Sequence, residues 1–587
     1  MKNINLKDLS RYKKVFLINS KHPFTIEKLN EDSCFIYINK IKGNAPNSYM
    51  FSWSEFKHGY YKRCKVSKEA FKFSSKLLKI LRKDNLFFFK LLHFKYSKNL
   101  ISLTFKKFVL ENIYEYFFLF YCAKELKNKK NIVHIINTSQ NFDLFEDIFK
   151  FFKDEKFKIL QKKFLLFDLK IFFKNILLIF FYQFFAIFSS SNIIFNKHKV
   201  KFAARYFNTG FNLNTNPKIN WIFKNVKKKN YQIICEQLPD DNFVKKLKKS
   251  KMNFNVNSNI RPIKSLNFNY IPKYLMSSLF FISVGLSSLF RNFLVIDFAR
   301  QLIVSSIKWE KFTDILLIDK YISYNNYNFD HIVRNFFLRK YNTKTFHYKH
   351  TFAENIYEKQ TDYNNYNYAY AFYDYEFHWS IISKRMSILD KSQSKKFIVN
   401  GPINAQYFEK KIKNQDNLIC FFTSQLGTRD SICSKENHIK FLNFINEFSE
   451  IKKYKIILKP KYSVKRIKYL YPEIFKMIVK LKKKKNIKVI ENINAEKFMF
   501  KASKIISMPF ASTSIQGIYN DIPSYYLDLD KQFKNIFFKK NKIYFVNDED
   551  IKKKLIEKKK KSKLILRIKK KIFKETLIQK KIPNFFT

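Results

Sequence analysis

Three consecutive hydroxyl residues, Ser512, Thr513 and Ser514, separate the β-forming run at Ile505 and Ile506 from the helix-like run Ile515, Gln516, Gly517. Small hydroxyls at a helix N-terminus suit a phosphate. The first backbone N–H groups there have no intrahelical partner, and the hydroxyls add donors at little steric cost. The same pattern also serves as an ordinary helix cap. Upstream, Lys459, Pro460 and Lys461 close the apolar run YKIILK, where two ammonium groups would hold a diphosphate. Gly427 ends NLICFFTSQLG and is counted with these donor-site candidates, as is Asp528 at the end of SYYLD. Asp528 reads as structural or ribose-facing. HYKHTFAEN supplies two histidines, His347 and His350, and Glu354, any of which has the chemistry of a general base. The six cysteines stand apart without ligand-like pairs, so no metal site is expected.

The elements that must position these groups form a series. From Lys396 onward, FIVNGP, NLICFFTSQLG, YKIILKPK, NIKVI and KIISM read as strands, and YPEIFKMIVKL and NAEKFMFKA as helices. Ser434 should cap an amphipathic helix over 436–450 with Ile439, Leu442, Ile445 and Phe448 on one face. Short connections between alternating elements predict a parallel sheet with functional loops at the strand C-terminal ends. Only seven glycines occur in the chain, and three of them (Gly401, Gly427, Gly517) fall in this segment, which marks backbone that needs one. The N-terminal half is less regular. Val15–Ile18, Ile132–Ile136, Tyr231–Glu236 and TKTFHYKH read as strands, and 67–126, 294–312 and HIVRNFFLRK as helices. An Asn/Tyr-rich loop is expected at 321–329, and a long polar–aromatic loop at TDYNNYNYAYAFYDYEFHW. The layout expected is an N-terminal domain over 1–395, a C-terminal domain over 396–550 and a basic amphipathic helix over 551–587.

A net charge of +66 on 587 residues suggests a polyanionic partner. The excess is mostly lysine, however, spread through the chain beside abundant Phe, Tyr, Asn and Ile, as a biased genome composition would also produce. There is no zinc-finger spacing and no glycine–aromatic RNA-binding signature, so no specific nucleic acid is expected. Asn175–Phe195 and Tyr274–Phe290 are uncharged. The first approaches the roughly 20 residues that cross a bilayer, but the serines in both favour a buried helix or a membrane-surface patch whose flanking lysines snorkel. The N-terminus has no long apolar core of a secretory signal, and the cysteines read as thiols of a reducing compartment.

Ser507–Ser514, SMPFASTS, resembles the Pro-Phe-Thr-Ser motif of bacterial surface-polysaccharide biosynthesis proteins. The order around it is similar to that family and its distant relatives: Leu458-Lys459-Pro460-Lys461 as the basic-Pro element, Ile522-Pro523-Ser524 after the motif, and Tyr525-Tyr526-Leu527-Asp528 to close. Upstream, His350 resembles the cleft histidine and Phe377–Ser380 the Trp-containing strand before a hinge, with Gly401 as its glycine. The resemblance covers about 345–530. It implies an α/β protein with two Rossmann-like domains facing a cleft, GT-B-like, and helical insertions in the N-terminal half. The activity implied is glycosyl transfer from a nucleotide-activated sugar, cytidine-linked donors among the candidates, to a saccharide or lipid-linked acceptor. His350 or Glu354 would act as base, and Gly427, Lys459, Lys461, Ser512, Thr513, Ser514 and Asp528 would hold the donor. No cofactor beyond the donor is implied, and the placement is the cytoplasmic face of the plasma membrane. Thr351 replaces the glycine after the histidine and Ala511 the motif threonine. Those two departures favour an alternative, an inactive assembly protein that keeps the fold.

Overall fold

In a computed structural model, the structure describes residues 59–126, 271–288, 293–323, 328–349, 367–402, 415–426, 433–531 (apart from 492, 494 and 510) and 543–557. It also describes the short strands named below and the isolated positions 177, 245 and 569.

Three parallel sheets organise these residues. The first contains β1 (Lys2–Asn3), β2 (Lys14–Asn19), β3 (Ser33–Tyr37), β4 (Ser48–Met50), β5 (Ile132–Asn137) and β6 (Phe157–Leu160), in the order β1-β4-β3-β2-β5-β6. The middle sheet contains β7 (His198–Tyr206), β8 (Tyr231–Cys235), β9 (Phe254–Val256), β10 (Leu316–Ser323), β11 (Lys344–Tyr348), β12 (Tyr375–His378) and β13 (Lys396–Val399), ordered β13-β12-β11-β10-β7-β8-β9. The C-terminal sheet contains β14 (Gln415–Phe422), β15 (Lys455–Lys459), β16 (Ile487–Val489), β17 (Ala502–Ser507), β18 (Ser524–Leu527) and β19 (Tyr544–Phe545), ordered β16-β15-β14-β17-β18-β19. In the middle and C-terminal sheets the chain builds outward from one central strand to one edge. It then crosses back and builds toward the other edge, as doubly wound Rossmann-like sheets do.

The phenylalanine excess is spent on packing. Helices Gly59–Asp84, Lys98–Leu126 and Phe293–Ile315 share one core with Val15 and Ile36 of the first sheet and Ala203 and Ile318 of the middle one. Phe105, Phe108, Phe298 and Phe329 pack through it in tilted and edge-on pairs at centroid spacings of 4.8–6.2 Å. A second core fills the C-terminal unit, where the helix Lys435–Phe448 is capped by Ser434 as its sequence predicts and buries Leu442, Ile445 and Phe448. The helix Asp548–Ile556 docks Ile551 and Leu555 into this core and ends at Glu557, overlapping only the start of the basic helix expected over 551–587. Lys504 on β17 caps that helix, its Nζ donating to the carbonyls of Lys554, Leu555 and Glu557 at 2.9, 2.6 and 2.7 Å. The rest of 551–587, apart from Lys569, lies outside the described residues, as does Asn175–Phe195 apart from Leu177.

The pairing differs from the sequence expectation at four points. A third sheet precedes the two expected. β7 and β10, the central pair of the middle sheet, were passed over, and Tyr321–Ser323 belong to β10 rather than to a loop. Lys396–Val399 pairs with β12 in the middle sheet instead of opening the C-terminal one. In the aromatic segment, Tyr368, Tyr370 and Tyr373 are buried, Tyr370 against Phe71 and Tyr373 against two histidine rings; Tyr375–His378 is a strand, overlapping the one that the resemblance places at Phe377–Ser380. Tyr368, Tyr370 and Tyr373 therefore form part of the core rather than an exposed platform.

Candidate functional site

β14 is the first strand of the C-terminal sheet, and β17, laid down after the crossover, is its neighbour on the other side. The connections leaving these two strands diverge, and their C-terminal ends therefore bound the crevice where open α/β sheets take ligands. The ladder holds to that edge, with the Met508 N–H donating to the Phe422 carbonyl at 3.0 Å. The hydroxyl motif sits here. Ala511 is extended and the helix Ser512–Tyr519 starts immediately after it, with no side-chain cap, so the first-turn N–H groups are left for an outside acceptor.

Neighbouring bonds fix that turn. The Ser507 and Thr513 hydroxyls bond at 2.8 Å, the Ser514 hydroxyl donates to the Tyr525 carbonyl at 3.0 Å, and the Tyr526 hydroxyl donates to the Ala511 carbonyl at 3.0 Å. The hydroxyl triplet is thereby divided. Ser514 is buried and committed to β18, whereas Ser512 and Thr513 stay half-buried at the edge. Gly517 seats the helix on the sheet. A Cβ there would lie 2.1 Å from Ser524 Oγ and 2.7 Å from Ile505 Cδ1, too close for any side chain to be added without a shift.

On the other side of β14, β15 delivers Lys459, Pro460 and Lys461 to the same sheet edge. The Lys461 N–H donates to Thr423 Oγ1 at 3.0 Å, tying this loop to the end of β14. Lys459 is half-buried. Burial, then the Lys461 charge, lower its ammonium pKa, against the opposing pull of Glu496 and Glu491. Lys461 is exposed. Thr423 and Ser507 are residues the sequence reading did not single out, and their signal was position: each is the polar residue at or just past the end of an apolar strand.

Asp528 is placed differently. It is fully buried and accepts from Asn437 Nδ2 at 3.0 Å and from the Tyr544 hydroxyl at 2.5 Å, joining the helix Lys435–Phe448 to β18 and β19. Of its two sequence readings, the structural one describes these contacts. His350, Glu354 and Gly427 lie outside the described residues.

A second polar constellation lies in the middle sheet, where the strand alternation puts His347, Glu376 and His378 on one face. Glu376 Oε1 is 3.5 Å from His347 Nδ1 and 3.8 Å from His378 Nε2, and the carboxylate accepts from Ser387 at 2.7 Å and Ser392 at 2.8 Å. All three are fully buried. Burial pushes the Glu376 carboxyl up, but the His347 bond and the charges of His378 and Lys349 outweigh it and hold the group well below its ordinary range. Burial pushes His378 down to about 3 against the pull of Glu376, and lowers His347 as well. His347, one of the two histidines that the sequence offers as a base, is thus a neutral, sealed member of a core network. Among the described residues no group of three or more His, Cys, Asp or Glu is arranged to hold a metal ion.

Fold and crevice together define a Rossmann-like α/β protein whose C-terminal switch point carries an uncapped helix N-terminus, two hydroxyls and two lysines. Residues 276–555 match the family model described as "Polysaccharide biosynthesis PFTS motif protein", and that span contains β10–β19 and the whole crevice. No curated protein matches the sequence. Among solved structures, the chain is similar to HepE of Anabaena in complex with UDP at 9% identity and TM-score 0.37, covering 66% of this chain and 99% of that one. It is also similar to S. aureus MnaA with UDP, at 10% identity and TM-score 0.36, covering 66% and 95%. UDP-GlcNAc 2-epimerase from Neisseria meningitidis bound to UDP-GlcNAc gives 12% identity and TM-score 0.35, covering 66% and 93%.

Proposed function

We propose that the protein uses a nucleotide-activated sugar in surface-polysaccharide biosynthesis, transferring the sugar to a growing saccharide or lipid-linked acceptor. One observation carries the reading. The uncapped N-terminus of the helix Ser512–Tyr519 and the Lys459–Lys461 loop flank the switch point of a sheet that lies wholly inside the matched span. The donor's phosphates would meet the N–H groups and hydroxyls of Ser512 and Thr513, with Lys459 or Lys461 neutralising the leaving group. Leaving-group stabilisation of this kind is electrostatic and is strongest where the donors are fixed in advance, as this turn is. His350, or Glu354, would take the proton of the acceptor hydroxyl, and closure of the C-terminal unit against the N-terminal half would exclude water. A lipid-linked acceptor would place the enzyme at the inner face of the plasma membrane. The attachment proposed there is peripheral; among the described residues no helix is long and apolar enough to cross a membrane.

A thermal-shift screen with mono- and diphosphates of uridine, cytidine and guanosine tests the donor site. One nucleotide should raise the melting temperature of the wild type and fail to raise that of the Ser512→Ala, Thr513→Ala variant. No shift with any nucleotide, from a folded protein, would remove the donor site and leave the inactive assembly protein as the better reading. Incubating the matching nucleotide-sugar with and without a saccharide acceptor then separates the reaction types. Transfer consumes the donor only when acceptor is present, whereas an isomerisation of the sugar needs none.

A further inference from the structure

Among the described residues, two neighbouring helices of the N-terminal half and the residues beside them carry most of the exposed large apolar side chains. Leu86 and Phe87 on the helix Leu86–His93 are 57% and 58% exposed, and Phe94 in the turn that follows is 83% exposed. Ile80, one turn before the end of the preceding helix, is 57% exposed. The helix Ile271–Ser288 adds Leu275, Met276 and Leu279 at 51%, 68% and 53%. The two elements pack together, and Lys95, next to Phe94, lies 5.7 Å from the ring centroid of Phe280, next to Leu279. Phe280 itself turns inward onto the core. The patch is therefore the outer side of a helix pair whose inner side is already satisfied.

Its charge is one-sided. From Lys76 to Lys98 the chain carries seven lysines and arginines against one acidic residue, Asp84. Lys76, Lys79, Lys83, Lys90 and Lys98 are exposed around the apolar group. Large apolar side chains exposed together on two packed helices, with lysines beside them, mark an interaction site. Protein–protein interface cores are depleted of lysine. Insertable aromatic and aliphatic side chains beside the exposed ammonium groups of Lys79, Lys83, Lys90 and Lys98 instead match a bilayer with anionic headgroups. There the lysines can snorkel to the phosphates while the apolar tips enter the acyl boundary.

We propose that this face docks on an anionic lipid bilayer, holding the protein peripherally through Phe87, Phe94 and Met276 with the surrounding lysines as the electrostatic half of the contact. The assignment rests on the membrane placement proposed above but not on the donor site. An acceptor carried on a lipid would then be met by a protein already concentrated in the plane of the membrane.

Flotation of the full chain with vesicles containing phosphatidylglycerol, against vesicles of phosphatidylcholine alone, tests it. Wild type should float with the anionic vesicles and lose binding as salt is raised. The exposed-residue variant Phe87→Ser, Phe94→Ser, Met276→Ser should keep its melting temperature and its nucleotide shift while its partition falls at least about tenfold, because three insertions are lost. Phe94→Trp should gain fluorescence quenching by brominated lipid over the wild-type background. A triple variant that floats like wild type overturns the proposal, as does the absence of added quenching. A wild-type dimer split by the triple variant, with flotation unchanged, would reassign the face to self-association. Failure of the nucleotide screen would leave these lipid readouts untouched, so the two ideas fall separately.

Discussion

The middle and C-terminal sheets are wound in the same order and treat polar residues near their strand ends in opposite ways. In the middle sheet, His347, Glu376 and His378 face inward and are covered by helices and by Tyr373. The carboxylate is held by the Ser387 and Ser392 hydroxyls beside two neutral imidazoles, and all three side chains are fully buried. In the C-terminal sheet, Ser512, Thr513 and Lys461 sit past the strand ends and Lys459 is the last residue of β15, at the edge where connections diverge. The first arrangement serves stability, and the second is the one proposed to serve recognition. A polar side chain inside a strand must be satisfied by whatever packs over it, whereas one just beyond a strand at a switch point faces a gap.

Removing the hub of the sealed network should have the largest effect. Glu376→Ala leaves the Ser387 and Ser392 hydroxyls without their common acceptor and removes the buried carboxylate that His347 and His378 face at 3.5 and 3.8 Å, and we expect about 3–5 kcal/mol of lost stability by chemical denaturation. A loss below about 1 kcal/mol would mean that the cluster is not the sealed unit described. Acid should act on the same network. His331, His347 and His378 are all lowered, with burial the largest cause. Below the unfolded histidine value of roughly 6.5 the unfolded chain binds protons that the folded one refuses, so stability is full above that pH and declines as pH falls. With a folded value of about 3, His378 alone should cost about 3 kcal/mol between pH 6.5 and 4. Glu376, held low in the fold, adds a further loss below its ordinary range. A pH titration of the denaturation midpoint that stays flat from pH 7 to 4 would contradict neutral burial of these rings.

Gly517→Ala tests the seat of the open site. Steric overlap with Ser524 and Ile505 should outweigh the gain in helix propensity, giving a net loss of about 1–2 kcal/mol and a weaker nucleotide shift. Lys459→Ala should move stability least, by under about 1 kcal/mol. If the comparison holds it should nonetheless weaken the nucleotide shift clearly. A Lys459→Ala protein that is strongly destabilised yet binds nucleotide normally would place this lysine with the sealed groups instead.

What could be read ahead of the structure follows a physical divide. β14 to β18 of the C-terminal series were legible, unlike β19, because they are short, of clear period and separated by turn residues, and Ser434 announced its helix through capping chemistry. β10 was not legible: it follows the helix Phe293–Ile315 without an intervening residue and carries Asp319 and Lys320 at its centre. β7 likewise alternates lysine with apolar residues and has no glycine or proline to mark it.

The candidate site divides along the same line. Sequence by itself determined the order of elements, the hydroxyl triplet at a helix start and the lysines at a strand end, since these depend on neighbours within a few residues. Tertiary structure alone decided that Ser514 is spent on β18 while Ser512 and Thr513 are not, that Asp528 joins a helix to two strands, and that His347 is sealed. It also decided which side of the Leu86–His93 helix stays in water. Burial and bond partners of those groups are set by segments up to 91 residues away in the chain, and no local pattern encodes what will be packed above a strand.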